Sequence, residues 1–526
     1  VLLALLGCAP DATGRVTLAA RPGVRDLHAA SAGDDVGWSW TVDGAPAGIR
    51  GPDVPATYTW PGQVWEATAR GRGGVARAAV TVPEPLGGNV LVVMLDDVGL
   101  DLLAAYGAAD PAPTPTIDAL AAEGVAFRTV YGAPTCSPAR AVALTGRFAR
   151  RSGVGWLIDM DDADHELPLD AWTLPEALGE ARGPAPWTAE ALGKWHLAGY
   201  GSPSGLDHPL ASGFSRFAGS LGYLVEGDGS GPVDGYFAWR KIEDGDQHVV
   251  ERYATTDTVD DALARTAEMP EPFLLWLALH APHAPHHVPP AMLRTLDVAE
   301  DDPPGRLVRA ALEAADTELG RLLASMAPEV RARTTVVLTS DNGTTAEAAV
   351  NPARAKGTVS EGGLRVPLIV AGPAVVGPGR VSEAPAHLAD LFPTVCDLAG
   401  VPLVDLPAGG LGVPLPDGEV RALDGESLLP WLLDPDARIP DRVLYGEGFA
   451  PAGAGPWTKD LRAVRDDQWK LVRTNGAGET FHALPPGATD EGEPLQEPLP
   501  AEADAARARL ARVLDGIEGT LAYEGR

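Results

Sequence analysis

From Asn89 onward the chain carries four runs of apolar residues with almost no polar interruption: NVLVVML, PFLLWLAL, TTVVLT and VPLIVAG. A strand with one wet face alternates apolar and polar positions. A strand apolar at both parities must be covered on both faces. Patterns of helical period lie between the runs, as in Thr116–Gly124 and Arg306–Met326. This alternation predicts an α/β fold over residues 86–405, with an open, mostly parallel sheet flanked by helices. Three of the runs end on polar residues: Asp96-Asp97, His280 to His283, and Asp341-Asn342. Ligands of such sheets gather at the carboxyl ends of the strands, so these residues point to one site.

The flanking segments follow a different pattern. Residues 9–85 contain GWSWTVDG, ATYTWPG, QVWEATARG and ARAAVTV, short alternating runs bounded by Gly, Pro or Asp-Gly. They predict a small antiparallel β-sandwich that resembles the Ig-like or PKD-like spacer modules of exported enzymes. Pro83 to Gly88 reads as a linker. Residues 406–526 contain RVLYGEG, LRAVRDD, WKLVRTN and TFHAL, then a helical pattern over Ala501–Ile517. They predict a C-terminal α+β subdomain on a small antiparallel sheet. Residues 1–8, VLLALLGC, resemble the end of a lipoprotein signal, which implies export and a possible lipid anchor at Cys8 to the periplasmic or outer surface. The competing reading is an apolar tail.

Net charge is −31, from 41 Lys+Arg against 72 Asp+Glu, and no basic run exists. That charge balance argues against nucleic-acid binding through a broad basic face. Three cysteines provide no disulfide framework. Cys396 lies in an apolar helical pattern and reads as a buried small hydrophobe, whereas Cys136 lies in a polar turn and needs an explanation. Only five of the basic residues are lysines: Lys194, Lys241, Lys356, Lys459 and Lys470. If Arg replaces Lys wherever positive charge alone matters, a surviving Lys marks a place where Arg will not do.

Adjacent carboxylates at a strand end, as in Asp96-Asp97, are costly unless neutralised. A hard cation would do this, and Asp341-Asn342 offers a second oxygen pair. Each pair alone reads equally well as a solvated turn. Lys194 and His196, in a GKWH sequence after a helical stretch, and Lys356, in a Gly-rich turn, each read alone as surface residues.

Cys136-Ser137-Pro138-Ala139-Arg140, followed by Leu-Thr-Gly-Arg, is the specific signal. C-x-P-x-R in this setting resembles the signature of the type I sulfatases, members of the alkaline phosphatase-like superfamily. LDDVG, TCSPARAVALTGR, GKWHL, HAPHAP, SDNG and KGTVSEGGLRVP occur in that family's order, and the likeness spans residues 89–520. The resemblance implies that a separate maturation enzyme oxidises Cys136 to Cα-formylglycine. It implies that Asp96, Asp97, Asp341, Asn342 and the group at 136 hold one cation, Ca²⁺ in preference to Mg²⁺. One hydroxyl of the hydrated aldehyde would attack sulfur. Arg140 and Lys194 would orient the diol and the sulfate oxygens. His283 and Lys356 would contact the sulfate and assist departure of the alcohol, with His280 in support. His196 would take the proton of the second hydroxyl as sulfate leaves.

The implied function is hydrolysis of an organic sulfate ester, a sulfated small molecule or glycan. The same machinery would serve a phosphonate or phosphate-ester hydrolase. An unconverted Cys136 would leave a sulfated-glycan-binding lipoprotein without turnover. Tyr200, Tyr223, Trp239 and Arg240, in the loops around Ala198–Arg252, are candidates to stack on a sugar, against ordinary packing. The acidic surface favours short or sparsely sulfated substrates, because the charge at a compact site is screened from the rest beyond roughly 8–10 Å.

Overall fold

The chain is described from a computed structural model. It covers residues 88–521 apart from 162–164, 182–184, 226–232, 406–410, 417, 440, 477 and 486–488, and before them 17–20, 27–30, 37–42, 44–47, 53–54, 64–71 and 74–81. Cys8, its apolar stretch and the linker before Gly88 lie outside the described residues.

Ten strands build the main sheet. They are β1 (Asn89–Leu95), β2 (Gly124–Phe127), β3 (Thr188–Lys194), β4 (Arg216–Ser220) and β5 (Trp239–Glu243). The others are β6 (Asp246–Val250), β7 (Phe273–Ala278), β8 (Thr334–Ser340), β9 (Leu368–Ala371) and β10 (Arg380–Ser382). Their order is β6-β5-β4-β3-β7-β1-β8-β9-β2-β10. The central strands β4, β3, β7, β1 and β8 are all parallel.

The apolar runs are explained by two cores. Val90, Val92 and Met94 of β1 enter the core on one face, and Leu91, Val93 and Leu95 enter the core on the other. The second face is covered by α1 (Pro115–Glu123), α3 (Ala254–Glu268) and α4 (Pro304–Ser325), through residues such as Ile117, Val259 and Leu312. The first is covered by α2 (Cys136–Thr145) and α5 (Leu391–Ala399), the latter with Cys396 fully buried as expected. With both parities buried, β1 carries only apolar residues from Val90 to Leu95 and turns polar where it ends.

Two local expectations change. The run VPLIVAG is strand β9, but it pairs antiparallel with β8 and with β2. Two-sided burial makes a strand apolar whatever its direction. The stretch before Lys194 is not helical: TAEALGK is strand β3, between β7 and β4. Ala, Glu and Leu favour a helix intrinsically, and burial between two strands overrides that preference.

One transverse row positions the site. Gly219, Gly193, Ala278, Met94 and Thr339 are paired neighbours across five strands. Within two residues of that row each strand delivers a polar group: Ser220, Lys194, His280, Asp96 and Asp341. Gly193 has a φ of +88°, and a Cβ there would lie 1.9 Å from the Ala278 oxygen, so only glycine lets the chain turn Lys194 into the site.

The C-terminal subdomain is an antiparallel sheet of β11 (Leu444–Ala450), β12 (Lys459–Arg465), β13 (Trp469–Thr474) and β14 (Gly478–Ala483). Helix α6 (Ala501–Thr520) packs on it through Ala503, Ala506, Leu510 and Leu514. Before residue 88, the described strands form one three-stranded and one four-stranded antiparallel sheet. In the latter, exposed Ser39 alternates with buried Trp40.

Candidate active site

Cys136 opens α2, a helix whose ten residues are all buried. Its Sγ lies 3.4 Å from Asp96 Oδ1 and 3.4 Å from Lys194 Nζ. Arg140 stands one helical turn further on the same face. It donates to the Lys194 carbonyl oxygen (2.7 Å) and to Asp341 Oδ2 (2.9 Å), and it lies 3.5 Å from Asp96 Oδ2. One guanidinium thereby ties α2 to the ends of β1, β3 and β8.

Lys194 Nζ donates to Asp96 Oδ2 at 2.5 Å, and Lys356 Nζ pairs with Asp97 Oδ1 at 2.6 Å. Asn342 Nδ2 also donates to Asp97 Oδ1, at 2.7 Å. Asp341 Oδ1 accepts from the backbone N–H groups of Asp97 and Asn342 at 3.2 and 2.8 Å. His283 Nε2 approaches Asp97 Oδ2 to 3.7 Å. Ligand atoms of Asp96, Asp97, Cys136 and His283 all lie within 4.8 Å of one another. Every site residue expected from the sequence therefore meets in one buried cluster, with His196 joined through Tyr223.

Tyr223 organises the outer side. Its ring stacks on His283 (centroids 4.8 Å apart), meets His196 edge-on at 4.9 Å and lies 4.8 Å from Lys194 Nζ. Of the four sugar-stacking candidates it is the one in the cluster. Trp239 and Arg240 are buried in β5, which removes them from that role. His280 is held by Ser220 Oγ at 2.6 Å, and Tyr236 donates its hydroxyl to the His283 carbonyl at 2.8 Å. Neither Ser220 nor Tyr236 was recognisable from the sequence, because each acts only through a residue some 50 positions away.

Formal charge balances, with three carboxylates (Asp96, Asp97, Asp341) against three cations (Arg140, Lys194, Lys356). Burial opposes the charge on Asp96, but Lys194 and the other cations hold it well below the usual carboxylate range. Burial and then Asp96 push Asp341 up to about 6. Burial works against the Lys356 ammonium, but Asp97 and its neighbours keep it protonated. His283 is pushed down to about 4 by burial and Lys194, and burial and the same lysine hold His196 well below the usual imidazole range. Both imidazoles are neutral near pH 7. His283 Nδ1 lies 2.7 Å from the Ala284 carbonyl oxygen, which can only accept, so Nδ1 carries the proton and Nε2 is the free base. Burial, then Asp341 and Asp96, push the Cys136 thiol up, so the unmodified thiol is a poor nucleophile.

Several buried polar atoms have no hydrogen-bond partner among the described residues: Asp97 Oδ2, Asn342 Oδ1 and both ring nitrogens of His196. Such atoms are costly in a folded interior unless a water, an ion or a ligand meets them. The two free oxygens belong to the residue pairs at the ends of β1 and β8, and both are hard donors suited to a divalent cation. Asp97 and His196 also hold positive φ values of 68° and 58°, conformations that L residues rarely adopt and that cluster at functional sites.

The family model of the sulfatases matches residues 88–401. Human N-acetylgalactosamine-6-sulfatase is 30% identical over 442 residues, 75% of this chain and 77% of that protein. Mouse arylsulfatase G is 28% identical over 478 residues, covering 80% and 84%. Among solved structures, Ps i-CgsB in complex with k-i-k-neocarrahexaose superposes with a TM-score of 0.65 at 22% identity, covering 84% of this chain and 94% of that one. A protein solved with its substrate D-glucosamine-2-N,6-O-disulfate gives a TM-score of 0.60 at 20% identity, covering 82% and 98%. These two share the fold, and no described helix of this chain is long and apolar enough to cross a membrane. With the family model covering more than half of its length, the chain belongs to the sulfatase family and is a sulfuric ester hydrolase of the alkaline phosphatase-like fold.

Proposed function

We propose that this sulfuric ester hydrolase cleaves a carbohydrate sulfate at a formylglycine derived from Cys136, beside one bound Ca²⁺. The observation that carries the reading is the placement of Cys136. It is fully buried at the first position of α2, with Sγ between Asp96 and Lys194, where an oxygen nucleophile would meet both a cation and an ammonium group. The formylglycine would supply paired hydroxyls, one to attack sulfur and one to expel sulfate by elimination.

Asp96, Asp97, Asp341 and Asn342, with the oxygen at 136, would hold the cation, which would polarise the sulfate oxygens. The free Asp97 Oδ2 and Asn342 Oδ1 support this donor set. Arg140 fixes the Lys194 carbonyl and Asp341, so it sets the geometry of both the ammonium and the cation site. Lys194 and Lys356 are compact point charges able to contact single sulfate oxygens. His283 Nε2 would exchange a proton with the departing alcohol. An anion between the two lysines would raise its basicity by offsetting their charge. His196, buried and with neither ring nitrogen hydrogen-bonded among the described residues, is free to accept the proton of a hydroxyl at 136.

The partners in this reading are a formylglycine-generating maturation enzyme and a sulfated glycan or small molecule. We place the chain outside the cytoplasm, on the likeness of VLLALLGC to a lipoprotein signal. Residues 9–85 would then be a β-sandwich spacer before a catalytic domain at 86–405 and a subdomain at 406–526. Mass spectrometry of the Cys136 peptide from protein made in its native host tests the proposal. The expected mass is lower than that of the thiol form by the thiol-to-aldehyde difference. Recovery of the thiol form alone would overturn it.

A further inference from the structure

Four of the five lysines are ion-paired. Lys194 meets Asp96, Lys356 meets Asp97, Lys241 meets Asp257 and Asp261, and Lys470 meets Glu361. Lys459, the first residue of β12, has no carboxylate partner among the described residues, in a chain with 72 Asp and Glu. Its nearest acidic neighbour in sequence, Asp460, is committed to Arg150 and Arg462, at 2.7 Å each. Lys459 Nζ instead sits 3.6 Å over the ring of Trp156. Both residues are half-buried.

Trp156 is anchored beside the reacting centre. Two residues away, the Ile158 N–H donates to the hydroxyl of Ser137, the neighbour of Cys136, at 3.0 Å. On its other side, Gly155 accepts a 2.9 Å hydrogen bond from the Phe449 N–H of β11. A Cβ at Gly448 would lie 3.0 Å from the Trp156 ring and 3.1 Å from the ring of Pro134, so glycine is what allows the indole to pack there. The Pro134 carbonyl in turn accepts from the Gly357 N–H at 2.7 Å, next to Lys356. The indole, with Lys459 over it, therefore shares Gly448 as a neighbour with Pro134, two residues before Cys136, and Pro134 is itself tied to the turn that carries Lys356.

A half-buried cation held over an aromatic ring contributes little to folding. It does leave an ammonium group with no carboxylate partner among the described residues, seated on a ring whose loop is tied to the segment that carries Cys136. We propose that Lys459 binds a second anionic group of the substrate, a carboxylate or a further sulfate carried beyond the scissile ester, and that Trp156 is the positioning residue that holds it. The assignment rests on the reading that the Cys136 cluster takes the first sulfate. It makes Lys459 a determinant of which ester is accepted rather than of how it is cleaved.

Titration calorimetry on the full chain tests this with four probes. They are N-acetylgalactosamine 6-sulfate, a 6-sulfated disaccharide with a neutral second sugar, the same with a uronate, and the same with a second sulfate. The expected result is that the uronate or the disulfated disaccharide binds at least about tenfold more tightly than the neutral one. Which of the two does so identifies the anion. Lys459→Ala and Trp156→Ala should abolish that advantage, and Lys459→Arg should keep most of it. Hydrolysis of 4-nitrophenyl sulfate, which lacks a second anion, should be unchanged in Lys459→Ala. The proposal is overturned if neither dianionic probe gains over the neutral one, or if the gain survives Lys459→Ala. A wild-type protein that turns over no sulfate ester, yet shows the Lys459-dependent gain, would instead indict the reading of the Cys136 cluster.

Discussion

Two buried charge clusters lie a few residues apart along one loop, and they are built on opposite principles. Lys356 ends in the active-site cluster. Glu361, five positions on, ends in a second cluster under the C-terminal sheet. There, Glu361 Oε1 accepts from Lys470 at 3.0 Å and from the Tyr131 hydroxyl, and Oε2 accepts from Arg465 at 2.6 Å. Its backbone N–H donates to Glu491 at 2.7 Å. Both oxygens are occupied, and neither is left unpartnered. In the active-site cluster the formal charges also balance, but Asp97 Oδ2, Asn342 Oδ1, Arg140 Nε and both imidazole nitrogens of His196 have no hydrogen-bond partner among the described residues, and Asp97 and His196 hold positive φ. A satisfied network fixes a structure, whereas an incomplete one stores a place for something else.

The largest effect expected from breaking this contrast is on chemistry alone. On the proposed mechanism, in which residue 136 carries the nucleophile, Cys136→Ala should reduce kcat on an aryl sulfate below about a hundredth of wild type. Its thermal midpoint should stay near the wild-type value. A variant that keeps more than that activity would remove Cys136 from the nucleophile's place. Glu361→Ala should do the reverse, with a loss of about 3–5 kcal/mol in denaturant unfolding, because Lys470 and Arg465 are left buried without their counter-charge. The pH dependence follows in sign. Burial opposes ionisation of Glu361, but Lys470, Arg465 and Arg365 hold it well below the usual range. Its stabilisation is therefore fully present above the unfolded pKa of about 4.3 and is lost as pH falls through the lower folded value. In Glu361→Gln that component of the acid unfolding curve should be missing.

The next effect separates the clusters by ligand response. If the active-site cluster stores a cation site, Ca²⁺ at about a hundred times its Kd should stabilise the fold by about 2.7 kcal/mol, read as a rise in thermal midpoint. Asp97→Asn should remove that rise, and Glu361→Gln should keep it. An equal response in both variants would mean that Ca²⁺ binds elsewhere.

The two clusters also differed in how far they could be read from the chain. The active site was legible because the C-x-P-x-R motif at Cys136 stands in one order with GKWHL, HAPHAP and SDNG, and because a doubly covered sheet keeps its strands apolar almost to the end, so Asp96-Asp97, His280 and Asp341-Asn342 stand out after long runs. The Glu361 cluster was not, since Glu361 and Lys470 are 109 residues apart and neither ends an apolar run. Strand β3 was misread as helix because its Ala, Glu and Leu speak for local preference, while the pairing with β7 and β4 that decides its state is non-local. Trp239 and Arg240 looked available for a sugar for a similar reason. Aromatic and charged residues in a loop-like stretch give no sign of being buried in an added antiparallel strand.

The smallest expected effect concerns the lysines. Lys470 is fully buried, with its Nζ on Glu361 Oε1 and 5.4 Å from the Tyr131 ring centroid. An arginine there would bring a wider, planar head with five donors into a space shaped for a compact ammonium, on a carboxylate whose other oxygen already holds Arg465. Overpacking and unsatisfied donors should cost about 1–3 kcal/mol in Lys470→Arg. Lys459→Arg sits half-exposed over Trp156, where a guanidinium stacks at least as well, and should change stability by less than about 0.5 kcal/mol. Urea midpoints of the two variants measure the difference directly. If both are neutral, the scarcity of lysine reflects composition alone. If Lys470→Arg is costly and Lys459→Arg is not, lysine survives in this chain where a cation is enclosed by protein, and what distinguishes Lys459 is the lack of a carboxylate partner among the described residues rather than its side-chain type.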